Sequence, residues 1–257
     1  MSTFVRLTSD EPDKVGALWS RIGVGSSDLS LEWKFRISGS DPVNYGDSMA
    51  LIISPMKTQA ERAGRFFENN KAGQAGRFFG IDENFTGMAI IINTNRRLLN
   101  KDRNPGEPVG RHRDVAIVAN NGTRTYDDLI GSLEGCTANV RFDERRDDFN
   151  EMQATRIRMK VSGNTVSLDV DARNMGRWRR CATIALLDMP QHWAKKCNVG
   201  VIALTSDKTR DNHDLLDLRV YTHSTDAWGE DTYDEDEDGM DGLMHHMEQE
   251  RLSQSYE

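Results

Sequence analysis

Gly76-Arg-Phe-Phe-Gly-Ile-Asp-Glu-Asn-Phe-Thr-Gly-Met-Ala-Ile-Ile-Ile-Asn-Thr-Asn95 is the stretch whose reading decides the fold. Its second half, Met88 to Ile92, is an unbroken apolar run bounded by Gly87 and Asn93. A short run of this kind, closed by turn-forming residues, predicts a strand buried on both faces. The polar residue at its end, Asn93, is then placed at the rim of a sheet, where sites form.

Outward from that strand, the chain reads as β throughout. Leu29, Leu31, Trp33, Phe35 and Ile37 alternate with polar residues, which predicts a half-buried strand. Residues 4–8 and 16–20 read as short strands, and Asp47–Ile53 follows the Gly39-Ser-Asp-Pro42 turn as another. Strands are also predicted at Asp114–Ala119 and Thr123–Asp127, joined by a hairpin at Asn120-Asn-Gly122, because Asn and Gly tolerate positive φ. Further strands fall at 154–161, 164–170, 181–187, 198–205 and 214–222. Strands at regular spacing with almost no helical pattern indicate an all-β sandwich. Ala-Gly-Arg-Phe-Phe occurs at 63–67 and again at 75–79, which reads as a local duplication lengthening a surface loop.

The formal charge is −8, but Glu230–Asp241 alone holds eight acids and no base. The remainder is balanced, 33 acids against 33 bases, which argues against a nucleic-acid partner. Residues 224–257 are read as a disordered acidic tail and 4–223 as the domain. No run of about 18 apolar residues occurs, so no transmembrane segment is expected in this chain. The start, Met-Ser-Thr-Phe-Val-Arg-Leu-Thr, lacks the apolar core of a signal peptide. Three cysteines allow one disulfide with a leftover thiol, or three reduced thiols.

Several segments, in one order, carry a resemblance. They are Val5-Arg-Leu-Thr8 with Gly16-Ala-Leu-Trp19, Gly46-Asp-Ser-Met-Ala-Leu51, Asn84-Phe-Thr-Gly87 before the apolar run, and Asn121-Gly with Tyr126-Asp127. Gly135-Cys-Thr-Ala138, Arg180-Cys181 and Asp211-Asn-His-Asp214 complete the set. Together they resemble the L-type, legume-like lectin domains of ER–Golgi cargo receptors, and among these the vesicular integral-membrane lectins. The resemblance implies a concanavalin A-like jelly-roll β-sandwich of two antiparallel sheets. It implies no enzyme, but a lumenal module of the secretory pathway that binds high-mannose glycans on glycoprotein cargo with the help of calcium, alongside other cargo receptors. It also implies a disulfide between Cys136 and Cys181, with Cys197 free. Family domains start some tens of residues upstream and continue into an anchor, so the chain is expected to be part of a longer receptor. One sheet edge, near Phe4–Thr8 or Tyr221, is then expected to lack its partner.

Carried over residue by residue, the site departs from the family pattern. Asp47 matches the sugar-binding Asp. Asn93 stands at the calcium-holding Asp, Asn95 at a backbone-carbonyl ligand, and Arg97 at an Asn that touches both ion and sugar. The loop after Tyr126 is shortened, so the family's His and second Asp collapse onto Asp128. Asp207, in Ser206-Asp-Lys208, replaces the glycine-bearing sugar loop. Carbohydrate contact is therefore expected from Asp47, Asp128 and Asp207, with degenerate calcium positions at Asn93, Asn95 and Arg97. Calcium is expected to be lost there.

Other constellations are weaker. A glycosidase needs two carboxylates about 5–10 Å apart, and Asp169 with Asp171 on one strand is read as an ordinary sheet exterior. Asp234-x-Asp-x-Asp238-Gly opens like a calcium loop but carries His245 where the twelfth-position Glu belongs. His245-His246 gives too few ligands for a defined metal site. Asn84-Phe-Thr86 and Asn121-Gly-Thr123 fit the glycosylation pattern at a frequency expected by chance, and Asn84 is read as structural.

Overall fold

A computed structural model describes residues 3–46, 48–55, 79, 81, 84–94 and 113–222. Its strands are β1 (Val5–Thr8), β2 (Val15–Trp19), β3 (Leu29–Gly39), β4 (Ser48–Pro55), β5 (Thr86–Asn93), β6 (Val115–Asn121) and β7 (Glu134–Cys136). After these come β8 (Arg141–Asp143), β9 (Thr155–Ser162), β10 (Thr165–Asp171), β11 (Arg179–Ala185), β12 (Cys197–Leu204) and β13 (Asn212–Thr222). One sheet has the order β1-β13-β3-β9-β10-β11, and the other β2-β12-β4-β5-β6-β7. Every pairing along both paths is antiparallel, while β8 adds to β3 as a short parallel strand. The expected jelly-roll sandwich of two sheets is what forms.

β5 lies between β4 and β6, and its apolar run is buried on both faces as its sequence predicts. Met88, Ile90 and Ile92 point between the sheets, meeting Leu31, Phe35 and Ile157 in the main core. Burying each such side chain stabilises by about 2 kcal/mol. Ala89 and Ile91 point the other way, into a second cluster with Ala50, Ile52, Val118 and Ile202. Leu129 and Phe85 cover that outer face. At Gly87 a Cβ would fall on the Ile53 carbonyl, so the start of β5 needs glycine.

The predicted strand over Thr123–Asp127, and with it the hairpin at 120–122, is corrected. The chain turns into a short helix, α1 (Tyr126–Gly131). The Asn120 side chain accepts from the Gly122 and Arg124 amides, and Thr125 N-caps the helix. These local side-chain bonds to the backbone compete with a ladder and win. α1 then lays Leu129 on the outer cluster.

The two sheets are joined differently at their two sides. Cys136 ends β7, the edge of one sheet, and Cys181 lies in β11, the edge of the other. They form the disulfide that the resemblance implies, with Cα atoms 5.0 Å apart. On the far side, β1 and β2 are joined by the short run of chain between them rather than by a cross-link, and Gly16 sits where a Cβ would strike the Leu7 carbonyl. No described strand pairs with Asp217–Thr222 on the side of β13 that faces away from β3, and Tyr221 there is exposed. Phe4–Thr8 and Tyr221 thus flank the unpartnered edge. The duplicated Ala-Gly-Arg-Phe-Phe segments, apart from Phe79, and the acidic tail lie outside the described residues.

The bridge closes a sequence separation of 45 residues, for which chain entropy gives about 4 kcal/mol. Urea unfolding of the Cys136→Ala/Cys181→Ala variant should show a loss in the range of about 2–5 kcal/mol. Burial pushes the Cys197 thiol up to about 12. Thiol-reactive dye should therefore label Cys197 only on unfolding, in the parent and at neutral pH.

Candidate functional site

The end of the six-stranded sheet where β5 stops collects two of the candidate residues, Asn93 and Asp207. Asn93 closes β5, opposite Ser48 at the start of β4, and its N–H donates to the Asp114 carbonyl at 3.0 Å. Asp207 is exposed in the turn that follows β12, whose Ala203 pairs with Met49 near the same end. Ser206 Oγ accepts from the Lys208 and Thr209 amides and holds that turn. The Arg210 N–H then donates to the Asn44 carbonyl, tying the turn to the loop that precedes β4. Asp47, Asn95 and Arg97 lie outside the described residues.

Asp128 is not brought to this end. β6 runs from Val115, beside Ile92, to Asn121, beside Thr86, so Asp128 follows the opposite end of the ladder. Arg124 holds it there, donating to the carbonyls of Ala119 and Asp128. Its carboxylate accepts from the Thr125 N–H at 3.1 Å and the Thr125 hydroxyl at 2.8 Å, completing a capping box. Those bonds hold the Asp128 carboxyl below the usual range. The shortened loop has been made into a helix cap, and the carboxylate belongs to it.

Beneath the site lies a buried polar cluster that the sequence reading treated only as the start of a strand. Asp211 is fully buried and accepts Arg141 Nε and Nη2 at 2.8–3.0 Å, together with the Gly46 N–H at 3.1 Å. Arg141 Nη2 also donates to the carbonyls of Gly39 and Asp41, and its guanidinium lies 4.3 Å from the Tyr45 ring centroid. One ion pair therefore fixes the whole 39–46 loop up to the residue before Asp47. A Cβ at Gly39 would collide with the Asp211 carboxylate, which keeps that position glycine. Asp214, equally buried, is held by Arg36 and by Arg6. Arg36 also donates to the Glu151 carbonyl.

His213 sits between these two carboxylates in sequence and is completely buried, with Nδ1 2.7 Å from Thr8 Oγ1. Nε2 has no partner. Burial drives its pKa down to about 4, against the weaker opposite pull of Asp214. Burial likewise lifts the Asp211 carboxyl up to about 6, against Arg141.

The two acids considered for glycosidase chemistry are both engaged. Asp169 binds Arg180, and Asp171 binds Arg156 and accepts from the Met175 and Gly176 amides. Among the described residues no three His, Cys, Asp or Glu side chains cluster as a metal site. No described helix is long and apolar enough to cross a membrane.

A concanavalin-type sandwich with its loops gathered at one sheet end defines a lectin-like class of protein. A family model described as the Legume-like lectin family matches residues 1–228, and the chain belongs to that family. VIP36-like protein of Mus musculus is 26% identical over 229 residues, covering 86% of this chain and 55% of the relative. Vesicular integral-membrane protein VIP36 of Homo sapiens is 27% identical over 225 residues, covering 86% of this chain and 53% of the relative. The chain thus spans about half the length of these curated relatives. In structure, the VIP36 exoplasmic/lumenal domain in its Ca2+/Man2-bound form superposes with a TM-score of 0.63 at 24% identity, covering 88% of this chain and 78% of that one. The legume lectin-like domain from Entamoeba histolytica gives a TM-score of 0.54 at 16% identity, covering 86% and 84%. These structural likenesses concern the fold.

The pH dependence of folding follows from His213. The unfolded chain takes up a proton near the ordinary imidazole value of 6.5, whereas the native imidazole stays neutral down to about 4. Acid therefore favours the unfolded chain through that window, by about 3 kcal/mol in total. Asp211 acts oppositely, because its native form takes up a proton first as pH falls below about 6. The difference between parent and His213→Gln stabilities isolates the histidine. Measured by urea unfolding, that difference should shift against the parent between pH 6.5 and 4, and stay flat above 7.

Proposed function

We propose that the chain is the lumenal, lectin-like module of an ER–Golgi glycoprotein cargo receptor, with a site for high-mannose glycans that works weakly and without calcium. The family membership and the relatives named above support the class. The disulfide supports an oxidising compartment, since such bonds persist in secretory lumens and are rare in the cytosol. The observation that carries the altered site is the fate of two of the family's positions, one for calcium and one for sugar. A hard divalent ion takes six to eight oxygens, preferably carboxylate. Here Asn93 offers a neutral amide at the end of β5, and the Asp128 carboxylate is engaged in a helix cap.

Sugar contact is assigned to Asp47 and Asp207. Their job is to accept hydrogen bonds from vicinal hydroxyls. Arg97 is assigned the role of the ion. A guanidinium can bridge carboxylates as a charged fork, though without the ion's coordination number. The residual polar set is small enough that a second reading has support. With Asp128 withdrawn into α1, the sandwich can serve as a carbohydrate-inactive module that contacts cargo or other cargo receptors through protein surfaces.

The two readings separate on a mannose column run with and without chelator, followed by calorimetric titration of mannose. The first expects retention that chelator does not abolish, with a weak dissociation constant. No retention in either buffer selects the second. Retention that chelator abolishes would overturn the altered site. Two unit charges near a divalent ion change its energy by several kcal/mol even in a polar environment, and each 1.4 kcal/mol is about tenfold in affinity. Asn93→Asp together with Arg97→Asn should accordingly raise calcium affinity by at least about tenfold, measured by calcium titration.

A further inference from the structure

A cleft opens beside Thr94 and the 42–45 loop. Its volume is about 700 Å3, and Arg141, Arg145, Arg146 and Arg173 all line it, with Tyr45 and Phe142 as aromatic walls. Four guanidinium groups around one cavity invite the question of what neutralises each. Arg141 belongs to Asp211. Arg145 makes two bonds to Asp143, at 2.9 and 2.6 Å, and these hold that carboxyl down to about 2. Arg146 makes two bonds to Asp148, at 2.8 and 3.2 Å. Asp114, the remaining acid in the lining, accepts the Ala138 N–H at 2.7 Å.

Arg173 has no such counter-ion. It is half-buried, and its guanidinium lies 4.4 Å from the centroid of the Phe142 ring. Among the described residues it makes neither an ion pair nor a hydrogen bond, and its one recorded contact is that ring. Burial and the neighbouring Arg146 both press its pKa down, which is the cost of holding a second positive charge in a partly dry wall. Asp148 relieves this only at a distance, because both its oxygens are bonded to Arg146. The ring supports the guanidinium, whose N–H groups have no acceptor among the described residues. Stacked, planar and unpaired, an arginine is suited to bidentate recognition of an oxyanion. Thr94, buried and with no partner for Oγ1 among the described residues, and Gln153 add hydroxyl and amide groups to the same lining.

We propose that this cleft binds a tetrahedral oxyanion, a phosphate or sulfate group, held by Arg173 on its Phe142 platform with Arg146 beside it. The cavity has room for more than the anion. A monosaccharide ester fits a space of this size, whereas a free inorganic anion would leave most of it to water. The cleft borders the end of β5, since Thr94 and Asp114, whose carbonyl accepts the Asn93 N–H, both line it, but the arginines that hold the anion are not among the residues assigned to sugar.

The test is calorimetric titration of the full chain at low ionic strength with inorganic phosphate, inorganic sulfate, glucose 6-phosphate and glucose. Saturable binding of the charged ligands and none of glucose is expected. Arg173→Gln should weaken binding at least tenfold, while Arg158→Gln, which removes a surface arginine on another part of the sheet, should leave it unchanged. Tighter binding of glucose 6-phosphate than of phosphate identifies a sugar ester as the natural source, and equal binding identifies the free anion. Should Arg173→Gln fold poorly, amide shifts of the parent on adding phosphate provide the readout, expected around 142–153 and 173–175. No saturable binding of any charged ligand, equal loss in both variants, or shifts spread evenly over the surface would overturn the site. A negative mannose column leaves this result untouched, so the two readings fail separately.

Discussion

The ion pair between Arg141 and Asp211 is what the ligand side of this molecule rests on. Asp211 is fully buried at the start of β13, and Arg141 opens β8, so the pair joins segments 70 residues apart in sequence. A buried carboxylate is tolerated only when its oxygens are satisfied, and here two guanidinium nitrogens and the Gly46 amide satisfy them. The same guanidinium reaches the carbonyls of Gly39 and Asp41. A loop that would otherwise be eight residues of free chain is thereby held at several points. Removing either partner would strand the other in the interior, which is why the pair matters more than its net contribution to stability suggests.

The sheet beneath follows a simpler constraint. β5 is apolar at five consecutive positions, so both its faces must be covered. The opposing sheet covers one face. The other depends on Leu129 from α1 and on Phe85. The capping box at Thr125 and Asp128 fixes where α1 begins, and so where Leu129 lands. Withdrawal of Asp128 from the ligand side and coverage of the central strand are thus two results of the same few bonds.

Most of the fold was legible in the sequence because β patterns are local. The alternation from Leu29 to Ile37 and the run from Met88 to Ile92 each state their own burial. The segment after Gly122 misled because Thr123–Asp127 has strand-like neighbours, while its outcome is set by side chains bonding back to the backbone. The Cys136–Cys181 bridge came from family likeness, since three cysteines alone allow several arrangements. The ligand side was less legible. Asn93 and Asp207 come together through sheet register, which one strand does not reveal. Arg141 and Arg173 gave no sign of their roles, because an arginine's importance depends on which partners reach it in space.

The disulfide links the two sheets along one long side of the sandwich, whereas the other side has no such staple, only the short run of chain between β1 and β2. On that open side β1 makes only three ladder pairs with β13, reinforced by the Arg6–Asp214 bridge, and meets β2 where Gly16 packs on Leu7. The molecule is therefore a hinged book with a locked fore-edge. Tension entering through the first residues falls on a short, peelable strand, whereas tension entering beyond residue 136 meets a covalent bond. Opening under load begins at the β1–β2 side, and the buried Thr8 and His213 are the first interior groups it wets.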